Sequence, residues 1–316
     1  MVFVLAVALT LGCVALGRRH AAPHPGTSGA GGRTTTGRRA GRSGGTDAYR
    51  REYSACDTRQ LLGMSAPLGQ ETRVRDIRFD AGGVPVLSFL RRENAGRPWA
   101  DRVEVLGDGA ADVALRDLSG WVATGPRSLA DDLVARGARL IRASHRMTCD
   151  LSVRRPPRDW AGVASPLRCE PFDRPVDDLI PAWRAAYPPG HPDHRDEYED
   201  VVAVRERFEA LVGGAAYGPL SPLSGVAGHD GVVVAGLLIN DFPGEVPWGG
   251  FLITDLFRHP AYPGAGALLL RWTLARAAAA GLGVVGLVVT EGNPARRLYE
   301  RHGFEVFESP VTVAIP

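Results

Sequence analysis

The sequence predicts an α/β fold centred on the last third of the chain, and three observations lead there. Residues 250–307 read in order as strand, glycine turn, helix, strand, helix and strand. Upstream, two apolar runs at 224–227 and 232–240 are joined through His229, Asp230 and Gly231, and Asp-Gly between such runs is a strong hairpin signal. With 316 residues and 45% apolar content, the chain can bury a sizeable core and has room for two domains.

Residues 2–17 are an apolar run followed by Arg18 and Arg19. It is shorter than the roughly 20 residues a membrane span needs and has no basic flank before it. A cytoplasmic protein is expected, with membrane contact only if this run is a true anchor. Residues 18–47 are rich in Arg, Gly and Ser and have few large apolar side chains, so they read as a disordered linker. The first 46 residues hold six arginines and no acid, which leaves 31 basic against 35 acidic residues in the rest, a net of about −4. A mildly acidic body argues against a nucleic-acid partner and leaves room for cationic small molecules. The four cysteines, Cys13, Cys56, Cys149 and Cys169, lie far apart without CxxC or Cys/His spacing, which gives neither a zinc site nor a disulfide framework.

From 48 to 155 the pattern is that of a first, smaller α/β domain, with apolar alternation at 84–90 and 102–106 and turns at Gly82-Gly83 and Gly107-Asp108-Gly109. Its end predicts a helix over 128–136, a stop at Gly137 and a strand from Arg139. That ending, LVARGARLI, lines up with LYERHGFEVF near the far end when one residue is skipped, which sets Val134 opposite Tyr299. Residues 156–166 form an Arg/Pro-rich linker, and a second domain covers 167–316. Within it, 176–186 predicts a short helix with Leu179, Ile180, Trp183 and Ala186 at helical spacing. His191 and His194 are expected to be solvated turn residues and not metal ligands, because Pro192 separates them and no third ligand is adjacent. Asp196, Glu197, Glu199 and Asp200 open the next helix, where the macrodipole favours acids; an acidic rim drawing in a cationic acceptor is the other reading. The strand at 250–257 is nearly all apolar and is expected to be central.

The chemistry is concentrated after that strand. Gly264 and Gly266 permit a tight turn whose amides, at a helix N-terminus, would hold phosphate without a lysine. A Walker loop is excluded because the chain has no lysine, and a dinucleotide GxGxxG would need a glycine at Leu269. A helix over 267–280, glycine stops at Gly281 and Gly283, and a strand over 284–290 make a crossover unit. Asn293 is then an N-cap, Pro294 the first helical residue and Gly303 the stop, with Ala295, Leu298, Tyr299 and His302 on one face.

Taken in this order, DLFRHPAYPGAGALLL and GNPARRLYERHGFEVF resemble the GNAT superfamily of acyl-CoA-dependent N-acetyltransferases over roughly 167–316. The first domain then reads as a degenerate half-repeat of the same kind. The resemblance implies a mixed α+β sheet splayed around acetyl-CoA, with the pantetheine on the backbone of Leu256, Phe257 and Arg258. It puts the pyrophosphate on Pro263, Gly264, Ala265, Gly266, Ala267 and Leu268, where Pro263 and Leu268 depart from the family pattern. Asn293 would hydrogen-bond the cofactor arm and Tyr299 would protonate the departing thiolate. Asp255, a carboxylate near the end of an apolar strand, is the candidate base or acceptor-binding group; a structural hydrogen-bond acceptor is the alternative. The implied activity is transfer of an acetyl group from acetyl-CoA to a primary amine of a small-molecule or peptide acceptor, without a metal and with the oligomeric state open. The rival is a non-catalytic acyl-CoA-binding or regulatory module.

Overall fold

The computed structural model describes residues 75–94, 97–162, 166–244 and 246–316. The apolar run 2–17, the linker 18–47, Cys13 and Cys56 lie outside the described residues. Among the described residues no helix is long and apolar enough to cross a membrane.

Two similar runs of elements follow one another. The first has strands β1 (Asp76–Phe79), β2 (Pro85–Asn94) and β3 (Arg97–Val105), helix α1 (Ala110–Asp117), strand β4 (Val122–Gly125), helix α2 (Arg127–Ala135) and the long strand β5 (Arg139–Asp150). The second opens with β6 (Arg168–Pro171), α3 (Ile180–Ala186) and α4 (Val201–Val212). It then repeats the same grammar as β7 (Gly225–His229), β8 (Val232–Phe242), β9 (Gly250–Arg258), α5 (Ala265–Ala279), β10 (Val284–Thr290), α6 (Ala295–Arg301), β11 (Glu305–Glu308) and β12 (Val311–Ala314). Each half is an antiparallel meander followed by a parallel crossover, so the sheet is mixed, in the order β1-β2-β3-β4-β12-β5-β10-β9-β8-β7-β6, with β11 beside β5.

Local chemistry explains these boundaries. The β7–β8 turn uses Asp230 at φ 49° and Gly231 at φ 81°, the left-handed pair an Asp-Gly hairpin needs. Of the four acids at 196–200, three sit in a 3₁₀ turn and Asp200 caps α4, accepting from the Val202 amide at 2.9 Å. β8 is buried on both faces over Val233–Asn240, as a central strand should be. The Phe257 ring lies against its neighbour because Gly236 has no side chain; a Cβ there would stand 2.4 Å from the ring.

The two halves exchange strands. β5 pairs through Arg139–Ala143 with β12, then through Ser144–Asp150 with β10. In return β12 pairs with β4, and Val311, Val313 and Ile315 pack in the first half's core beside Phe89, Leu118 and Leu133. Met147 and Cys149 of β5, and Leu151 just after it, enter the other core, with Trp183, Phe208, Phe257 and Tyr299. Each core is therefore finished by a strand from the other half.

The internal echo is present, with a corrected register. Gly137 at φ 102° and Gly303 at φ 91° end α2 and α6 in the same way. The Ala138 amide donates to the Leu133 carbonyl at 2.9 Å and the Phe304 amide to that of Tyr299 at 3.0 Å. Leu133, and not Val134, thus stands where Tyr299 stands; the skipped residue in the sequence alignment displaced it by one, and Val134 is exposed.

Candidate active site

β9 and β10 are parallel neighbours for only two residue pairs, Leu252 with Gly286 and Ile253 with Leu287. Beyond them the strands part, leaving the β9 edge from Thr254 to Arg258 without a ladder partner on the β10 side. The parting coincides with a bulge: Asp255 pairs with Leu238 and Ile253 with Ile239, so Thr254 is the extra residue. Its hydroxyl donates to Asn240 Oδ1 at 2.6 Å, which ties down the bulge.

At the mouth of this cleft the chain turns into α5. Gly264 is the N-cap in the left-handed region, at φ 89°, with no side chain capping the helix. The helix starts at Ala265, two residues earlier than the sequence suggests, so Gly266 lies inside its first turn. By helix geometry the amides of Gly266 and Ala267 have no partner within the helix, and they aim the positive end of the dipole outward. A Cβ at Gly264 would meet nothing within 4 Å, so the space beside the N-cap is open. Pro263 offers no donor. Arg258 is buried and its Nη1 donates to the carbonyls of His259 and Pro260 at 3.1 and 3.0 Å, which fixes the chain leading into the turn. The open strand edge followed by helix N-terminal amides fits an extended thioester arm that ends in a diphosphate.

At the inner end, Asn293 Oδ1 accepts from the Ala295 amide at 2.8 Å and caps α6 from one residue before its Pro294 N-cap. Asn293 Nδ2 donates to Asp193 Oδ2 at 2.7 Å, and Thr290 Oγ1 donates to Asp193 Oδ1 at 2.5 Å. Asp193 and Asn293 are both buried. Within α6, Tyr299 packs edge-on against Phe304 and is fully buried. Its hydroxyl has no hydrogen-bond partner among the described residues. Burial, then the charges of Asp255 and Asp193, push the phenol well above its ordinary value.

Asp255 is also fully buried, and three donors converge on it: Arg207 Nη2 at 2.9 Å, Trp183 Nε1 at 3.1 Å and the Tyr187 hydroxyl at 3.3 Å. Burial pushes its carboxyl up, while Arg207 and the two other donors pull against it. Arg207 comes from the apolar face of α4, between Val204, Phe208 and Leu211, and Asp255 raises its pKa against the effect of burial. No hydrogen bond joins Asp255 to Tyr299.

The sequence reading missed Asp193, Thr290 and Arg207. Arg207 had a visible signal, since an arginine inside an apolar helical stripe needs a buried acid, and Asp255 is such an acid. Asp193 had none, because the fold alone brings the loop after α3 against β10. The expectation for the histidines is corrected. His191 is only 7% exposed, stands edge-on to the Tyr187 ring at 5.2 Å, and its Nδ1 accepts from the Asp193 amide at 3.1 Å. Burial lowers its pKa. His194 is half-buried, with its Nδ1 2.9 Å from the Tyr187 carbonyl.

Comparison with known proteins agrees with this geometry. Residues 176–304 match the family model described as acetyltransferase (GNAT) family. A search of curated proteins returns no match. Among solved structures, a GCN5-related N-acetyltransferase from Sphaerobacter thermophilus superposes with a TM-score of 0.50 at 16% identity, covering 84% of each chain. A tandem GNAT protein from the clavulanic acid biosynthesis pathway is similar at a TM-score of 0.44 and 18% identity, covering 74% of this chain and 80% of its own. The mixed sheet that parts after Ile253, the glycine-capped α5 and the family match over 176–304 lead to one conclusion: this segment is a domain of the GNAT acetyltransferase family.

Proposed function

We propose that the second half of the chain transfers an acetyl group from acetyl-CoA to the primary amine of a small-molecule or peptide acceptor, in a ternary complex. The observation that carries this reading is the Tyr299 hydroxyl, buried, without a partner among the described residues, and held on a helix whose capping residue is tied to Asp193. A buried hydroxyl left unbonded is costly, and a leaving thiolate is a group it would satisfy. With its pKa raised, Tyr299 stays protonated and serves as a donor, never as a base, at neutral pH.

The chain's residues have three tasks here. The β9 backbone of Leu256, Phe257 and Arg258 would pair with the pantetheine, and the turn from Pro263 to Leu268 would hold the pyrophosphate through its amides. Acetyl-CoA bound there supplies the thioester whose acyl group is transferred. Asn293 fixes α6 and with it the angle of Tyr299, so the proton donor needs no reorganisation. Of the roles considered for Asp255, the structural one has the support of its three donors; we assign to Asp193 the orientation of the incoming amine. Asp193 has lone pairs beyond those taken by Thr290 and Asn293.

The test is thiol release from acetyl-CoA by the full chain with a panel of amines, in wild type and Tyr299→Phe, alongside calorimetry of acetyl-CoA binding. Saturable binding in both, with turnover about 100-fold lower in the variant, is the expected result. Turnover insensitive to Tyr299→Phe would remove the acid assignment. Binding without turnover on any amine would leave the non-catalytic acyl-CoA-binding module.

A further inference from the structure

Where β5 leaves β12 for β10, a cavity of about 390 Å³ opens on one face of the sheet. Its floor is Arg142, Ser144 and Arg146, which share a face because they are spaced two apart along a strand. Six arginines line it, Arg92, Arg97, Arg102, Arg142, Arg146 and Arg195, against a single acid, Asp101. Arg92 meets Asp101 at 2.8 Å, Arg146 meets Glu308 at 3.2 Å and Arg195 meets Glu197 at 3.7 Å.

Arg142 is different. Its Nε and Nη2 are buried without a hydrogen-bond partner, and no carboxylate pairs with it among the described residues. These two N–H groups lie on the same edge of the guanidinium and form a planar fork, the shape that receives both oxygens of a carboxylate. Burial pushes Arg142 down to about 10, with Asp193 acting against the shift, so it remains a cation at neutral pH.

The walls are aromatic. Trp99 spends its Nε1 on Thr124 at 3.0 Å and presents an otherwise apolar surface. Trp248 carries the Arg102 and Arg146 guanidiniums over its ring at 4.1 and 4.3 Å. A few convergent polar groups in an apolar recess are what a small-molecule site requires. The cavity lies one strand away from the proposed chemistry: Ser144 in its lining pairs in register with Thr290, whose hydroxyl donates to Asp193.

We propose that this cavity binds a small molecule with a carboxylate on an aromatic or apolar body, and that Arg142 anchors the carboxylate. That this molecule is the amine acceptor rests on the acyl-transfer reading above. A body that is mildly acidic beyond residue 46 thus holds a cationic recess at the point where its two halves exchange strands, and an acidic amine suits it better than a polycation.

The experiment uses the full chain with saturating CoA and two sets of probes, measured by calorimetry: phenylalanine, phenylalaninamide and phenethylamine, then leucine, leucinamide and isoamylamine, with phosphoethanolamine added. In at least one set the carboxylate is expected to bind about ten-fold or more tighter than its amide and its decarboxylated amine. Arg142→Met should bring that ratio close to one, and Arg142→Lys, which keeps the charge but not the fork, should restore part of it. Circular dichroism checks folding; if Arg142→Met does not fold, Arg142→Lys carries the test through a lowered ratio. Equal binding within both sets, no binding by either carboxylate, a ratio unmoved by the substitutions, or tightest binding by phosphoethanolamine would each overturn the proposal. Carboxylate binding as expected but no thiol release with acetyl-CoA on any probe would retire the acyl-transfer reading and leave the carboxylate site standing.

Discussion

The two halves of the sheet share a backbone plan and differ in side chains. β3 and β4 run parallel for two residue pairs, as β9 and β10 do, and α1 starts at Gly109 with φ 77° as α5 starts at Gly264 with φ 89°. The first half thus keeps the parted strands and the glycine-capped helix. What it lacks is chemistry: Leu133 stands in place of Tyr299, α1 has 8 residues against 15 in α5, and among the described residues its core contains no counterpart of the buried Arg207–Asp255 pair. The splayed backbone is therefore a property of the fold, and the proposed activity rests on a handful of positions laid over it.

The largest expected effect comes from breaking the exchange. Deleting residues 310–316 removes Val311, Val313 and Ile315 from the first core, each worth about 1.5–3 kcal/mol of burial. Hydrogen exchange should show the amides of β2–β4 losing protection while β7–β9 keep theirs; equal protection throughout would mean that the halves are independent. Next is the buried charged pair of the second half. Asp255→Asn leaves Arg207 buried without its counter-charge and should cost about 3–5 kcal/mol in urea unfolding. Replacing both, as Arg207→Met with Asp255→Leu, should recover most of it, and failure to recover would show that the pair does more than satisfy itself.

Tyr299→Phe comes third, at about 100-fold in turnover or roughly 2.7 kcal/mol. The sign of its pKa shift adds a pH test. A phenol raised well above its ordinary value of 10.0 is still the donating form throughout the range below 10, so thiol release should climb as the amine loses its proton. A fall below pH 10 that vanishes in Tyr299→Phe would contradict this. Smallest are Gly137→Ala and Gly303→Ala, each forcing a side chain into the left-handed region for about 1–2 kcal/mol. The two should agree to within about 0.5 kcal/mol if the halves end their helices alike. A Cβ at Gly303 would come closest to the flexible Arg154 side chain, at 3.2 Å.

Much of the fold was legible where local chemistry dictates it. The strand at 284–290 has the same bounds in sequence and structure, and the Asp-Gly hairpin and the Gly137 and Gly303 stops are where turn chemistry requires. The mixed sheet followed from the family resemblance and is what the structure has. The strand exchange was not legible, because an alternating pattern marks a strand without naming its partner, and β5 and β12 would read the same paired at home. The cavity was hidden for a related reason. Arg142, Ser144 and Arg146 look like the solvated face of a strand until Trp99 and Trp248, from two distant segments, wall them in. Asn293 was legible as a helix cap; its bond to Asp193, 100 positions away, was not.

The hydroxyls of Thr124 and Thr312 touch at 2.9 Å although 188 positions of chain separate them. That closure sets a timetable for the molecule. The first half is synthesised early, but its hydrophobic interior has to wait, one strand short, until nearly the whole second half has left the ribosome. Through that interval its open edge at β4 would be a place for wrong partners to dock, so yield in the cell should depend on how quickly the last strand arrives.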